Sequence, residues 1–121
     1  MFNKQRPDHL IQGQIAEQQA YDYLLTQGLK LVCKNFNSRY GELDLIMKEG
    51  ETLVIIEVRF RKNDHFGGAL ESITAKKKAR IIKTTHYYLM THPIDCPIRF
   101  DVITLSPKQG LNWIQNAFQC P

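Results

Sequence analysis

Residues Gly41 to Arg61, GELDLIMKEGETLVIIEVRFR, constrain the fold of this chain more tightly than any other stretch. In the first half Leu43, Leu45 and Met47 share one parity, and Glu42, Asp44, Ile46 and Lys48 share the other. In the second half Val54, Ile56, Val58 and Phe60 oppose Leu53, Ile55, Glu57, Arg59 and Arg61. The polar run Lys48-Glu49-Gly50-Glu51 separates them. Period-two alternation rich in β-branched residues and broken at a glycine predicts a β-hairpin. Side chains at i and i+2 lie on one strand face. Each strand should therefore bury an apolar face and carry acids on the other: Glu42 and Asp44 on one strand, Glu57 on its neighbour.

Carboxylates gathered beside apolar residues repel one another and are costly to desolvate. Hard Mg2+ or Mn2+ removes both problems, because it takes carboxylate oxygens, water and substrate phosphate. The other reading of the same pattern is a solvated sheet face with Glu57 paired to Arg59 or Arg61. Alternation alone leaves both open.

At 121 residues and 43% apolar, the chain fits one soluble domain, with residues 1–9 as a loose polar arm around Pro7. It contains no run of about 18 apolar residues that could span a bilayer, so no membrane association is expected. The opening MFNKQRPDHLIQGQ lacks the apolar core of a signal peptide. Cys33, Cys96 and Cys120 form neither a disulfide framework nor a CxxC knuckle, which fits a reducing cytoplasm. The net charge of +4 is unevenly spread. Between Glu57 and His86, eight cations (Arg59, Arg61, Lys62, Lys76, Lys77, Lys78, Arg80, Lys83) face three acids (Glu57, Asp64, Glu71). A local basic surface beside carboxylates suits a phosphate backbone.

A helix is expected from about Leu10 to Gln27, on a stripe of Leu10, Ile11, Ile15, Ala16, Ala20, Tyr23 and Leu24, stopped by Gly28. Glu17 lies at the edge of that stripe. Leu29 to Phe36 reads as a strand, with a turn from Asn37 to Gly41. Cys33 within it reads as a small core residue. The segment KNDHFGGALES after Arg61 reads as a loop near the acids, and its His65 could assist phosphate or proton transfer. Thr74 is placed as the N-cap of a helix to about Met90, with Ala79, Ile81, Ile82, Thr85, Tyr88 and Leu89 buried. Lys76, Lys77, Lys78, Arg80 and Lys83 crowd its first turns, where the helix dipole disfavours cations. That placement suggests phosphate binding, against a merely soluble face. Tyr87 and Tyr88 could stack on bases, with one of them expected in the core. Arg99 to Leu105 is a further strand, and Asn112 to Phe118 a short helix or strand that packs Trp113.

The order of Gly13 and Glu17 on a helix, then Asn35, Gly41-Glu42-Leu43-Asp44, Ile56-Glu57-Val58-Arg59, Thr74 with Lys77, and Arg99-Phe100-Asp101-Val102 resembles the YraN-like family of small bacterial proteins. That family is grouped with endonucleases and is similar to archaeal Holliday junction resolvases. The likeness runs from about Gly13 to Leu105, most of the chain. It implies an α/β, restriction-endonuclease-like fold, a mixed central sheet flanked by helices bearing the PD-(D/E)xK site. Asp44 then occupies the first acid, Glu57 the second, and Glu17 the helix glutamate that resolvase-like members add. Arg59 stands where the motif has its lysine. Mg2+ or Mn2+ would be held by Asp44, Glu57, Glu17 and the Val58 carbonyl. Arg61, Lys76, Lys77, Lys78 and Arg80 would hold the DNA backbone.

Arginine stays protonated at any useful pH, so Arg59 cannot act as a general base, though it binds phosphate well. Lys48, on the parity of Asp44, is a candidate replacement, whereas Lys62 has the wrong parity. The implied function is a metal-dependent endonuclease for branched or structured DNA, for which a homodimer would suit paired cuts. An alternative is a binding module that keeps the nuclease fold without turnover, and a protein-interaction scaffold is a third, weaker reading.

Overall fold

A computed structural model describes residues 8–62 and 73–120, with side chains from Gln12 onward. The expectations for the arm before Asp8 and for the loop holding His65 lie outside the described residues, as do the side chains of Leu10 and Ile11. The elements are α1 (Asp8–Thr26), β1 (Lys30–Ser38), β2 (Gly41–Glu49), β3 (Thr52–Phe60), α2 (Ala75–Thr91), β4 (Ile98–Ser106) and β5 (Gly110–Phe118). They build a five-stranded sheet in the order β1-β2-β3-β4-β5. β3 and β4 are parallel and the other pairs antiparallel. A parallel pair needs a long crossover, and α2 lies within it. This is the mixed sheet with flanking helices expected of a restriction-endonuclease-like α/β fold. No described helix is long and apolar enough to cross a membrane.

Both faces of the sheet are covered, which corrects the expectation of one apolar and one acid-bearing face. Ala16, Ala20 and Leu24 of α1 pack with Leu45, Met47, Val54, Ile56 and Ile103. On the opposite face Ile81 and Tyr88 of α2 pack with Leu43, Ile46, Leu53, Ile55 and Phe100. A sheet crossed by a helix on each face needs apolar residues on both parities. Leu43 therefore does not join Leu45 and Met47: the alternation of β2 slips by one residue at Asp44.

α1 presents Ala16, Ala20 and Leu24 at i, i+4 and i+8, a stripe too narrow to include Ile15, which is 52% exposed. The helix ends where Gly28 adopts φ 92°. There the Gly28 amide donates to the Leu25 carbonyl and the Leu29 amide to the Leu24 carbonyl, both at 3.1 Å. This is a Schellman stop with Leu24 and Leu29 in contact through the core. β1 runs two residues further than expected, leaving only Arg39-Tyr40 as its turn. In α2, Thr74 accepts from the Lys77 amide at 3.1 Å, as an N-cap should. Ala79 is exposed and Thr84 takes its place in the core, with its hydroxyl donating to the Arg80 carbonyl at 2.8 Å.

The C-terminal segment is a strand, pinned by a buried carboxylate. Asp101, 0% exposed, accepts from Arg99 Nε and Nη2, from Trp113 Nε1 and from the Asn116 amide, each at 2.9 Å. Arg99 Nη1 also reaches Glu49 Oε1 at 2.7 Å. Its guanidinium is driven further above the usual arginine range, chiefly by the hydrogen bonds to Asp101. Asn116 adopts φ 53°, beside the register shift between Phe100 and Val102.

Candidate active site

β2 and β3 stay in register only as far as Leu45 opposite Ile56. Beyond that pair the Val58 amide donates to Asp44 Oδ2 at 2.9 Å, so a side chain takes a bond that a ladder carbonyl would have accepted. β2 continues with β1, through Phe36 opposite Leu43 and Asn37 opposite Glu42, while β3 continues with β4 to Phe60 opposite Leu105. The strands part at Asp44, and the slip in alternation is the local cause. Asn35, opposite the slip, sits at φ 52°, a conformation that asparagine tolerates better than most residues.

Among the described residues four acids border this seam. Glu17 comes from α1, Glu42 and Asp44 from β2, and Glu57 from β3. With its amide nitrogen turned toward the acids, Asn35 donates to Glu17 Oε1 at 3.0 Å and to Glu42 Oε2 at 3.1 Å. Burial, then Glu42 and Glu57, raise the Glu17 carboxyl above its ordinary range, opposed by Asn35 and Lys34. Asp44 is pushed up to about 8, first by burial and then by Glu57, with Glu17 and Glu42 adding to it. The Val58 amide pulls the other way and does not cancel them. Glu57, only 7% exposed, meets Lys77 Nζ at 2.9 Å and Arg59 Nη1 at 3.8 Å. Arg59 therefore shares a strand face with Glu57, as parity predicts.

The structure thus brings Glu17, Asp44, Glu57, Val58 and Arg59 to one end of the sheet. It does not bring Lys48 there. Lys48 lies opposite Leu53 and Lys30, four residues along β2 from Asp44, or about 13 Å at strand rise. The amine at the acids is instead Lys77 of α2, which sequence reasoning assigned to the DNA backbone. The signal was present in the cations at the dipole-disfavoured end of α2, but their direction was not. The remaining cations diverge. Lys78 lies over the Phe118 ring at 5.9 Å, and the Arg80 stem packs beside Gly41. Lys76 is exposed, and Arg61 follows the end of β3, its amide donating to the Leu105 carbonyl at 2.8 Å. Asn35 and Lys34 are neighbours of the site that no strand pattern could assign to it, whereas strand parity already groups Glu42 with Asp44.

Among the described residues no three His, Cys, Asp or Glu side chains converge tightly enough to enclose a metal alone. Mg2+ asks for less: one or two carboxylates, with waters and substrate phosphate completing its shell. Asp44 and Glu57 are the carboxylates that could offer this, and a divalent cation would offset the burial and the charge repulsion that together raise the Asp44 carboxyl.

The model of the uncharacterised protein family UPF0102 matches residues 16–105, which include every acid of the seam. A UPF0102 protein of Legionella pneumophila (strain Corby) is 51% identical over 109 residues, covering 88% of this chain and 92% of its own. One from Psychromonas ingrahamii is 50% identical over 108 residues, covering 88% of each chain. One from Pseudomonas fluorescens is 45% identical over 113 residues, covering 91% of this chain and 94% of its own.

Proposed function

Starting from the fact that the chain belongs to the uncharacterised protein family UPF0102, we propose that it is a metal-dependent endonuclease. In this reading it is a single nuclease-like domain, cytoplasmic, that hydrolyses phosphodiester bonds in branched or structured DNA. The observation that carries the reading is the parted seam itself. Asp44 interrupts the β2–β3 ladder to face Glu57 and Glu17, and a lysine and an arginine close on Glu57. A purely structural sheet gains nothing from a ladder bond given up to crowd carboxylates together.

Asp44 and Glu57, with Glu17 and the Val58 carbonyl beside them, would hold Mg2+ or Mn2+. The ion supplies Lewis acidity, acidifying water and neutralising charge that grows on the phosphate. The Val58 amide fixes the rotamer of Asp44, leaving its other oxygen to turn toward the seam. Arg59 gives a fixed positive charge for a non-bridging phosphate oxygen. A lysine amine, unlike a guanidinium, is able to exchange a proton, and Lys77 is the lysine at the acids. Held on Glu57 Oε2, it fills the part that the resemblance leaves to the motif lysine. Arg59 in that lysine's strand position favours the second reading, a binding module without turnover.

The test is cleavage of labelled four-way junction, flap, duplex and single-stranded DNA with Mg2+ or Mn2+, beside Asp44→Ala purified in parallel. Metal-dependent cleavage that Asp44→Ala abolishes is the expected result, and the ranking of substrates names the class. Binding of branched DNA without cleavage by the wild type would leave the binding module as the better reading.

A further inference from the structure

At the turn that opens β2, aromatic rings and cations form a second surface that the acid seam does not use. The Tyr40 ring lies 5.3 Å from Tyr87 of α2, tilted by 57°. Arg39 and Lys83 each hold a positive group 5.0 Å from the Tyr40 ring centre, and Arg39 Nη2 donates to the Tyr40 hydroxyl at 2.9 Å. Beneath them the order is that of a core. Phe36 meets Tyr88 edge-on at 5.0 Å, and Tyr88, 3% exposed, stacks on His92 at 4.3 Å. Tyr40 and Tyr87 are the outer, half-buried layer.

The turn is fixed against the helix. A Cβ on Gly41 would come within 3.0 Å of Arg80 Cγ and Thr84 Oγ1, so only glycine allows this approach. Arg39, Arg80 and Lys83 are exposed, and among the described residues none has a carboxylate within ion-pair distance. Phe36 and Tyr88 already close the core here. The outer layer of two half-buried tyrosines thus sits under three cations that meet no carboxylate among the described residues.

We propose that Tyr40 and Tyr87, with Arg39, Arg80 and Lys83, form a stacking platform for unpaired bases of DNA, the cations holding the flanking phosphates. Aromatic faces take any base, and a basic rim follows the backbone without reading sequence. Tyr40 immediately precedes β2, and Asp44 lies four residues further along the chain, no more than about 13 Å away. That distance is close to four base steps of a nucleic-acid strand at about 3.4 Å each. The platform rests on the nuclease reading for its purpose: it selects DNA with unpaired nucleotides a few steps from the bond presented to the seam. Its binding does not require cleavage.

The experiment uses the full chain in EDTA, so that nothing is cut. Fluorescence anisotropy compares a labelled single-stranded oligonucleotide with a blunt duplex of equal length, and a 2-aminopurine base in the single strand reports stacking. Wild type should prefer the single strand and quench the 2-aminopurine. Tyr40→Ala with Tyr87→Ala should weaken single-strand binding at least about fivefold and abolish the quench, with duplex binding little changed. Tyr40→Phe with Tyr87→Phe should retain both. If the alanine pair fails to fold, Tyr40→Leu with Tyr87→Leu keeps the apolar bulk, removes the ring faces and carries the same expectation. Unchanged single-strand binding in the folded ring-less variant, or no quench in wild type, overturns the platform. Asp44→Ala separates the two readings. If wild type cleaves no DNA in Mg2+ yet the tyrosine dependence persists, the nuclease reading falls and the platform stands. If cleavage that needs Asp44 is indifferent to both tyrosines, the platform falls alone.

Discussion

Asp44 and Asp101 lie on the two strands that flank β3, the first half-buried and the second fully buried, and the chain treats them in opposite ways. Asp101 receives four donors from its own molecule, two of them the fork of a guanidinium. Asp44 receives one backbone amide and faces three other carboxylates. The first is a closed account, in which the charge is met inside the fold and serves to fix the edge strand β5. The second meets more charge of its own sign than donors among the described residues. Burial of an acid therefore says little about its role, and the inventory of its donors says much.

The largest effect should come from exchanging the treatments. Asp101→Ala strands Arg99, the Trp113 ring nitrogen and the Asn116 amide, and should cost about 3 kcal/mol in urea unfolding. Asp44→Asn removes a group whose ionisation the fold opposes, so it should leave stability near pH 4 within about 1 kcal/mol of wild type and raise it at neutral pH, while cleavage is lost. Equal destabilisation by both would erase the distinction. Next is Lys77, the counterpart of Arg99 on the open side. Lys77→Met should lower the single-turnover cleavage rate about a hundredfold with the substrate dissociation constant little changed. A loss of binding alone would return Lys77 to the DNA backbone.

Acidity sharpens the contrast further. The fold raises the Asp44 carboxyl from its ordinary 3.8 to about 8, so between those values the folded state holds a proton that the unfolded state has lost. Its contribution to stability should therefore fall as pH rises from about 4 to about 8, at about 1.4 kcal/mol for each unit of difference at most. Metal-free melts of wild type should show this decline and Asp44→Asn melts should not. Mg2+ at a hundred times its dissociation constant should restore about 2.7 kcal/mol at pH 8 and less at pH 5, where protons compete. The smallest effect is expected of Arg59→Lys, which should retain or raise cleavage, because either cation at Glu57 can hold the phosphate. Abolished activity with intact folding would show that the guanidinium itself is required at position 59.

The hairpin, both helices and their caps were legible because propensity and periodicity are local. Glu57 and Arg59 fell on one face because β3 is regular. Period-two counting failed at Asp44, where a side chain displaces a ladder bond and Asn35 takes a left-handed conformation opposite it. That single slip misassigned Leu43, while Lys48 shared a parity with Asp44 but not a position, lying four residues or about 13 Å along the strand. Ile15 was misread because a helix seated through alanines buries a narrower stripe than its apolar residues suggest. Lys77 was seen as a misplaced cation, but only the packing of α2 against β3 gives it Glu57. The Asp101 network joins residues from β2, β4 and β5, and no pattern within one strand reports such a convergence.

The parallel register of β3 with β4 has a consequence for how the molecule is assembled in time. Every other strand pair closes over a short loop, and Val58 meets Asp44 across only 14 residues. Leu53 opposite Ile98 instead waits on the whole intervening crossover. Local closures are fast and distant ones slow. The meander β1-β2-β3, with its crowded acids, and the hairpin β4-β5, with its neutralised one, are thus two units that can form separately and meet last along one seam. The acids Glu42, Asp44 and Glu57 gather in the first unit before Lys77 arrives to temper them, so salt or a divalent cation should speed the early phase of folding more than the late one.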